Sequence, residues 1–278
     1  MVFLKLVRVR ETVFSLPLAY IGMLMVAQQL PPLRTWILVT AALVSARTLG
    51  MCLNRILDKE IDARNPRTAH RLLPSGEVAV STALRYAAGS GALFVASAYL
   101  LNPLCFYLSF LALFLLITYS LVKRFSSLSH FYLGLTEACA PIGGALAVDP
   151  RFTAPLLLIG CYMMLWIAGF DIIYSCQDYE FDRAHRLFSI PVRFGIKNTL
   201  IISAVLHAAA VAVLTAIGVL LKAHALYFVC LVVVCAFFVR QHTLVSAGDL
   251  SRLQVAFFNM NRNISFTVFL AFLLNFIF

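Results

Sequence analysis

From Tyr86 to Val122 the chain contains no Asp, Glu, Lys or Arg. A helix needs about 20 apolar residues to cross the hydrocarbon core of a bilayer. This single stretch is therefore long enough for two crossings, with Asn102-Pro103 as the turn between them. It divides into runs near 80–101 and 103–122, and others fall near 13–30, 35–54, 129–148, 153–175, 199–221, 223–243 and 255–277. The composition agrees with that pattern. Apolar residues make up 62% and charged residues 12%, against roughly a quarter charged in a soluble domain, and the mean hydropathy is +0.92. A water-soluble enzyme, a disordered chain and a disulfide-built secreted module are all excluded. The expectation is an all-α integral membrane protein with nine transmembrane helices embedded in the lipid bilayer.

The charge is distributed as a membrane topology requires. The net charge is +10, from 22 Lys and Arg against 12 Asp and Glu. With the N-terminus inside, seventeen of these bases lie on the inner side: Lys5, Arg8, Arg10; Arg55, Lys59, Arg64, Arg67, Arg71, Arg85; Lys123, Arg124; Arg183, Arg186, Arg193, Lys197; Arg240 and Arg252. Only Arg34, Arg151 and Lys222 fall outside, and Arg47 and Arg262 sit within spans. Such a bias follows the positive-inside rule, so the basic balance implies no nucleic-acid partner. Residues 1–10 and the run after them read as a first membrane helix rather than a cleaved signal. The seven cysteines form no CxxC pair, lie mostly inside apolar runs and read as packing residues.

Two inner loops, at about 55–79 and 176–198, are long and charged, and long loops in a compact fold tend to carry function. Asn54, Asp58 and Asp62 at the end of the second span are spaced i, i+4, i+8, which places them on one helical face. At the end of the sixth, Asp171, Tyr174, Asp178 and Asp182 follow a similar stripe. Carboxylates stacked four residues apart repel, and a helix C-terminus disfavours anions. Oxygen ligands without His or Cys suit a hard cation such as Mg2+, which is commonly shared with substrate phosphates. The competing reading, solvated helix ends, explains one such cluster better than two matched ones.

The flanking bases repeat as well. His70-Arg71-Leu72 and His185-Arg186-Leu187 each follow a cluster and precede Pro and Gly, and Tyr119-Ser120-Leu121-Val122-Lys123-Arg124 adds cations at another inner helix end. Carboxylates for metal, with Arg and Lys for phosphate oxygens, make a diphosphate site. Topology alone accounts for Arg55, Arg64 and Arg85. His130, His207, His224 and His242 have no carboxylate partner nearby in sequence and read as structural.

Asn54-x-x-x-Asp58-x-x-x-Asp62, Asp178-x-x-x-Asp182 and Tyr119-x-x-x-Lys123 closely resemble the motifs of the UbiA superfamily of intramembrane prenyltransferases, and the likeness extends over almost the whole chain. The resemblance implies one UbiA-like domain over residues 1–278, with weakly repeated halves at about 1–125 and 126–278. It implies nine helices around a central cavity, with a cytoplasmic cap formed by the two long loops. It further implies Mg2+ ions joining the aspartate motifs to a polyprenyl diphosphate, and transfer of the prenyl group to an aromatic acid acceptor. The acceptor is commonly 4-hydroxybenzoate or a naphthoate of ubiquinone or menaquinone synthesis. Arg10-Glu11-Thr12-Val13-Phe14-Ser15-Leu16-Pro17 and Gln177-Asp178-Tyr179-Glu180-Phe181-Asp182 look most like bacterial 4-hydroxybenzoate-type enzymes of the inner membrane, within them the branch linked to the futalosine route.

Residue by residue, Asp58, Asp62, Asp178 and Asp182 are the expected metal ligands, supported by Asn54 and Asp171. Arg67, Arg71, Lys123 and Arg186 are candidate phosphate contacts. Tyr119, Tyr174 and Phe181 are candidate ring faces for a prenyl cation, and Arg10 and Arg47 candidate partners for an acceptor carboxylate. Arg47, Glu137, Asp171 and Arg262 are costly within spans, and mutual pairing is their alternative role. A transporter is the rival class, yet transporter sites lie near the midplane, whereas these carboxylates gather at one face. Haem or another acceptor shares the same diphosphate half.

Overall fold

The structure, a computed structural model, describes Leu6 and residues 9–278, with the backbone alone for residues 9–14. Apart from one isolated bridge between Ser246 and Asp249, the regular structure among the described residues is helical. The helices are α1 (Val9–Val26), α2 (Leu33–Leu57), α3 (Lys59–Arg64), α4 (Val80–Leu101), α5 (Pro103–Val122), α6 (Ser129–Val148), α7 (Ala154–Ser175), α8 (Tyr179–Ala184), α9 (Ile190–Leu220), α10 (Ala225–Thr243) and α11 (Asn261–Ile277). A 3-10 turn (Cys176–Asp178) separates α7 from α8, and a wider π turn (Val255–Met260) leads into α11.

Among the described residues eight helices are long and apolar enough to cross a membrane, and Ser15–Val26 is a shorter apolar helix. Hydroxyls in these spans return their hydrogen bonds to the preceding turn: Thr40 to the Trp36 carbonyl, Thr48 to Val44, Thr118 to Phe114 and Thr136 to Tyr132. Such local satisfaction is what a solvent without hydrogen-bonding capacity demands. On α5 the side chains of Tyr107, Phe110, Leu111, Phe114 and Ile117 are exposed along one stripe. That apolar face would be a liability in water and matches lipid contact. The chain is an integral membrane protein.

Two compact units form, one from Met1–Leu16 with Pro32–Leu121 and one from Pro17–Pro31 with Val122–Phe278. In the first, α2 packs along α4 around Leu49, Cys52, Leu73, Val78, Ala83 and Ala87, with Leu6 in the same cluster. Arg34 ties the start of α2 to the Leu100 carbonyl at the end of α4 (3.0 Å). In the second, α7 packs against both α6 and α9, and α10 against α11. Glycines allow close approach here, as small residues do in membrane bundles. A Cβ on Gly134 would stand 2.6 Å from the Met164 carbonyl oxygen, and Gly144 rests on the Ala19 carbonyl.

Some boundaries differ from those the sequence suggests. The first helix ends at Val26 rather than near residue 30, and Ala27–Pro31 form the turn. Helix α9 begins at Ile190, not near 199, because Ser189 caps it and Pro191 occupies its first turn. At Gly195 the backbone turns to φ 75°, ψ 159°. That conformation is essentially restricted to glycine, so the helix bends between its charged start and its apolar remainder. The two long charged loops are likewise partly helical, holding α3 and α8.

Candidate active site

Both aspartate motifs have the same local architecture. Helix α2 runs to Leu57, Asp58 breaks it at φ −92°, ψ 4°, and the six residues of α3 follow. Helix α7 runs into its 3-10 turn, Asp178 breaks it at φ −99°, ψ 6°, and the six residues of α8 follow. This bridge region of backbone space is sparsely occupied and recurs at active sites. The break spares the register in the first motif: the Asp58 amide bonds the Asn54 carbonyl (2.9 Å), and the Asp62 amide bonds the Asp58 carbonyl (2.7 Å). Each short helix then carries two acids in its first turn, Glu60 and Asp62 or Glu180 and Asp182. The expected helix-end repulsion is thus partly relieved, because Asp62 and Asp182 sit at a helix start.

In the first unit Asp58 and Asp62 are buried, at 3% and 5% exposure. The Asn54 amide donates to Asp58 Oδ2 (2.9 Å) and to Ser120 Oγ (3.1 Å), joining α2 to α5. One turn earlier on α2 and one residue earlier on α5, the Tyr119 hydroxyl donates to the Gly50 carbonyl (3.3 Å). Arg71 Nη1 lies 2.8 and 2.7 Å from the two carboxylate oxygens of Asp62, and Arg55 Nη1 stands 3.8 Å from Oδ2. Thr68 donates to the Asp62 carbonyl (3.0 Å), and the Arg67 amide donates to Asn65 Oδ1 (2.9 Å), which shapes the loop after α3. Arg71 therefore reaches the motif from its own loop. Arg55, which topology alone seemed to explain, is buried beside Asp62. Arg47 lies partly buried on α2, and the side chain of Arg10 lies outside the described residues.

In the second unit Asp178, Lys123 and His130 are the charged groups acting on Asp182, with Ser189 close by. The Lys123 carbonyl accepts from the Phe188 amide (2.9 Å), which ties the segment after α5 to the loop after α8. Tyr174 stacks on Phe257 of the π turn at 4.1 Å between ring centres, with Phe258 at 6.4 Å. The Phe181 ring instead stacks on His185 (4.0 Å). Arg186 is exposed at a left-handed φ of 54°. Asp171 meets buried His130, with Oδ2 2.7 Å from Nδ1, so His130 does have a carboxylate partner. The sequence hides the pair because 41 residues separate them. His207 and His242 bond each other (2.9 Å), and His224 caps α10.

The donor chemistry fits a hard divalent cation. In the first unit two carboxylates and an amide lie with Arg71 and Arg55, in the second two carboxylates lie with Lys123, and hard oxygen ligands are what Mg2+ takes. Among the described residues no cluster of three or more His, Cys, Asp or Glu forms by itself, and Mg2+ characteristically binds through one or two carboxylates with substrate phosphates completing its shell.

A family model described as the UbiA prenyltransferase family matches residues 15–265. The chain belongs to the UbiA prenyltransferase family. It is 27% identical to a 4-hydroxybenzoate octaprenyltransferase of Psychromonas ingrahamii, covering 96% of this chain and 93% of that protein. It is 30% identical to one from Azoarcus sp., covering 77% and 75%. The apo structure of a UbiA homologue from Aeropyrum pernix K1 shares the fold with a TM-score of 0.86 at 35% identity, over 95% of this chain and 97% of that one. A UbiA homologue from Archaeoglobus fulgidus bound to GPP and Mg2+ gives 0.76 at 19% identity, over 98% and 99%. This UbiA-family protein is an enzyme that transfers prenyl groups.

Proposed function

We propose that this enzyme transfers a polyprenyl group from polyprenyl diphosphate to an aromatic acid, 4-hydroxybenzoate in the first instance, in respiratory quinone synthesis. The observation that carries the reading is the paired break at Asp58 and Asp178. In each motif a carboxylate in the bridge conformation precedes a second carboxylate at the start of a six-residue helix, with Arg71 and Arg55 or Lys123 nearby. The names of the relatives from Psychromonas ingrahamii and Azoarcus sp. support the acceptor, and the GPP and Mg2+ of the Archaeoglobus fulgidus homologue support the donor and the metal.

Asp58 and Asp62, with Asn54, and Asp178 and Asp182 would hold Mg2+. The bound metal would supply positive charge to the diphosphate as the allylic carbon–oxygen bond breaks. Arg67, Arg71, Lys123 and Arg186 supply further cations for phosphate oxygens. The diphosphate leaves with the electron pair of the broken bond, and an acceptor ring carbon forms the new carbon–carbon bond and then loses its proton. Tyr174, which stacks on Phe257, and Tyr119 are the proposed ring faces for the allylic cation, which must be kept from water. Arg10 and Arg47 are the proposed partners of the acceptor carboxylate. The whole chain acts as one domain with related halves. It crosses a bacterial inner membrane nine times, with residues 15–26 in the first crossing and the N-terminus and both charged loops cytoplasmic.

The test incubates purified protein with Mg2+, a polyprenyl diphosphate and a panel of aromatic acids. Prenylated 4-hydroxybenzoate that disappears with EDTA, and in Asp58→Ala and Asp178→Ala, is the expected result. Full turnover in both variants would refute the assignment, and product with a different acid alone would move the acceptor.

A further inference from the structure

Helix α9 is longer than a membrane requires. Its 31 residues would extend about 46 Å as a straight helix, whereas about 20 residues cross the hydrocarbon core. Residues 199–220 contain no Asp, Glu, Lys or Arg, so that part is the crossing. The surplus is the start of the helix, residues 190–198, which falls at headgroup level and contains the bend at Gly195. Arg193, Phe194 and Lys197 are exposed there, and the Arg193 guanidinium lies 5.3 Å from the centre of the Phe194 ring.

The segment after α5 meets this start inside the second unit. Arg193 Nη1 donates to Ser127 Oγ (3.3 Å), and the Phe188 amide donates to the Lys123 carbonyl (2.9 Å). Residues 122–129 and 186–198 together hold the bases Lys123, Arg124, Arg186, Arg193 and Lys197, and no acid. Phe125, Leu128, Phe188 and Phe194 are exposed among them. Hydrocarbon disfavours the bases and water disfavours the bare rings, so the surface suits the boundary where lipid phosphates meet acyl chains. The diphosphate chemistry employs Lys123 and Arg186, but it gives Arg124, Arg193, Lys197 and these exposed rings no role.

We propose that this surface docks an anionic phospholipid of the leaflet nearest the aspartate motifs. Arg124, Arg193 and Lys197 receive its phosphate, and Phe125, Phe188 and Phe194 receive the upper part of its acyl chains. Charge selects the class of lipid. A zwitterionic headgroup brings its own cation against five bases, whereas an anionic one complements them. The Leu187 amide, beside Phe188, donates to the Asp182 carbonyl (2.9 Å), so the docked lipid rests against the turn that closes α8.

The experiment titrates dioleoylphosphatidylglycerol into the detergent-purified full chain and follows bound lipid by native mass spectrometry. Dioleoylphosphatidylcholine, with the same chains and a neutral head, is the comparison. Phosphatidylglycerol should bind more tightly, and Arg193→Gln and Lys197→Gln should each weaken it about fivefold. Phe194→Ser should also weaken it. Arg151→Gln, at the opposite end of α7, should leave it unchanged. If Arg193→Gln does not fold, exposed Lys197 decides. Equal affinity for the two lipids would overturn the proposal, as would unchanged phosphatidylglycerol affinity in the Arg193 and Lys197 variants. Displacement of the lipid by inorganic diphosphate would overturn it too, because the surface would then capture free phosphate. No readout involves prenyl transfer, so failure here leaves the proposed function standing.

Discussion

Replacing Arg71 by Gln separates the resting role of this side chain from the role of the metal. Asp62 is 5% exposed and receives Arg71 Nη1 at 2.8 and 2.7 Å, with Arg55 Nη1 at 3.8 Å. Opposite charges 4 Å apart interact by about 4 kcal/mol at an effective dielectric near 20. Breaking a fully buried pair costs about 3–5 kcal/mol. The Arg71 side chain is 22% exposed and Arg55 remains in place, so solvent and the second guanidinium reduce the loss to about 2 kcal/mol. For a chain of this size each kcal/mol shifts Tm by roughly 2–4 °C. Arg71→Gln should therefore melt about 4–8 °C lower in EDTA, followed by tryptophan fluorescence of the detergent-solubilised protein. With Mg2+ and inorganic diphosphate present the gap should narrow to less than half, because a divalent cation beside Asp62 takes over the missing charge. Equal melting in EDTA would refute the weight given to the Arg71–Asp62 pair. A gap that persists undiminished with Mg2+ would refute metal binding at Asp62.

Three further outcomes are expected. Gly134→Val should abolish the monodisperse fraction in size-exclusion chromatography, because even its first side-chain carbon would press on Met164 backbone at 2.6 Å; a normal profile would show that α6 and α7 are not so close. Gly195→Ala should lower stability by about 1–3 kcal/mol through its forbidden backbone angles, read as a reduced Tm, and an unchanged Tm would remove the bend in α9. Cysteines introduced at the exposed residues Ala63 and Ala184 should resist an impermeant thiol reagent added from the periplasmic side of intact spheroplasts, and labelling of either would invert the proposed topology.

The spans were most legible where punctuation is sharp. The runs at 80–101, 103–122 and 129–148 coincide with α4, α5 and α6 because Asn102-Pro103 and the basic segment at Lys123-Arg124 mark their ends. The start of α9 was hidden, since Arg193, Lys197 and Gly195 resemble a loop, and only the Ser189 cap and Pro191 reveal a helix. In the site, the spacing of Asn54, Asp58 and Asp62 was readable. The break at Asp58 was not, because the i+4 backbone bonds continue through it and leave the periodicity intact. The partners were harder still. A positive-inside bias would explain every base in the charged loops equally well, so nothing in sequence distinguishes buried Arg55 from exposed Arg64. Long-range pairs such as His130 with Asp171 and Asn54 with Ser120 leave no local signal at all.

Calorimetric titration of a short prenyl diphosphate into the purified chain tests the central claim most directly, that aspartate-held Mg2+ captures the diphosphate. Binding should appear with Mg2+, vanish in EDTA, and be lost in both Asp58→Asn and Asp178→Asn. Equal binding without the metal, or in both variants, would contradict it.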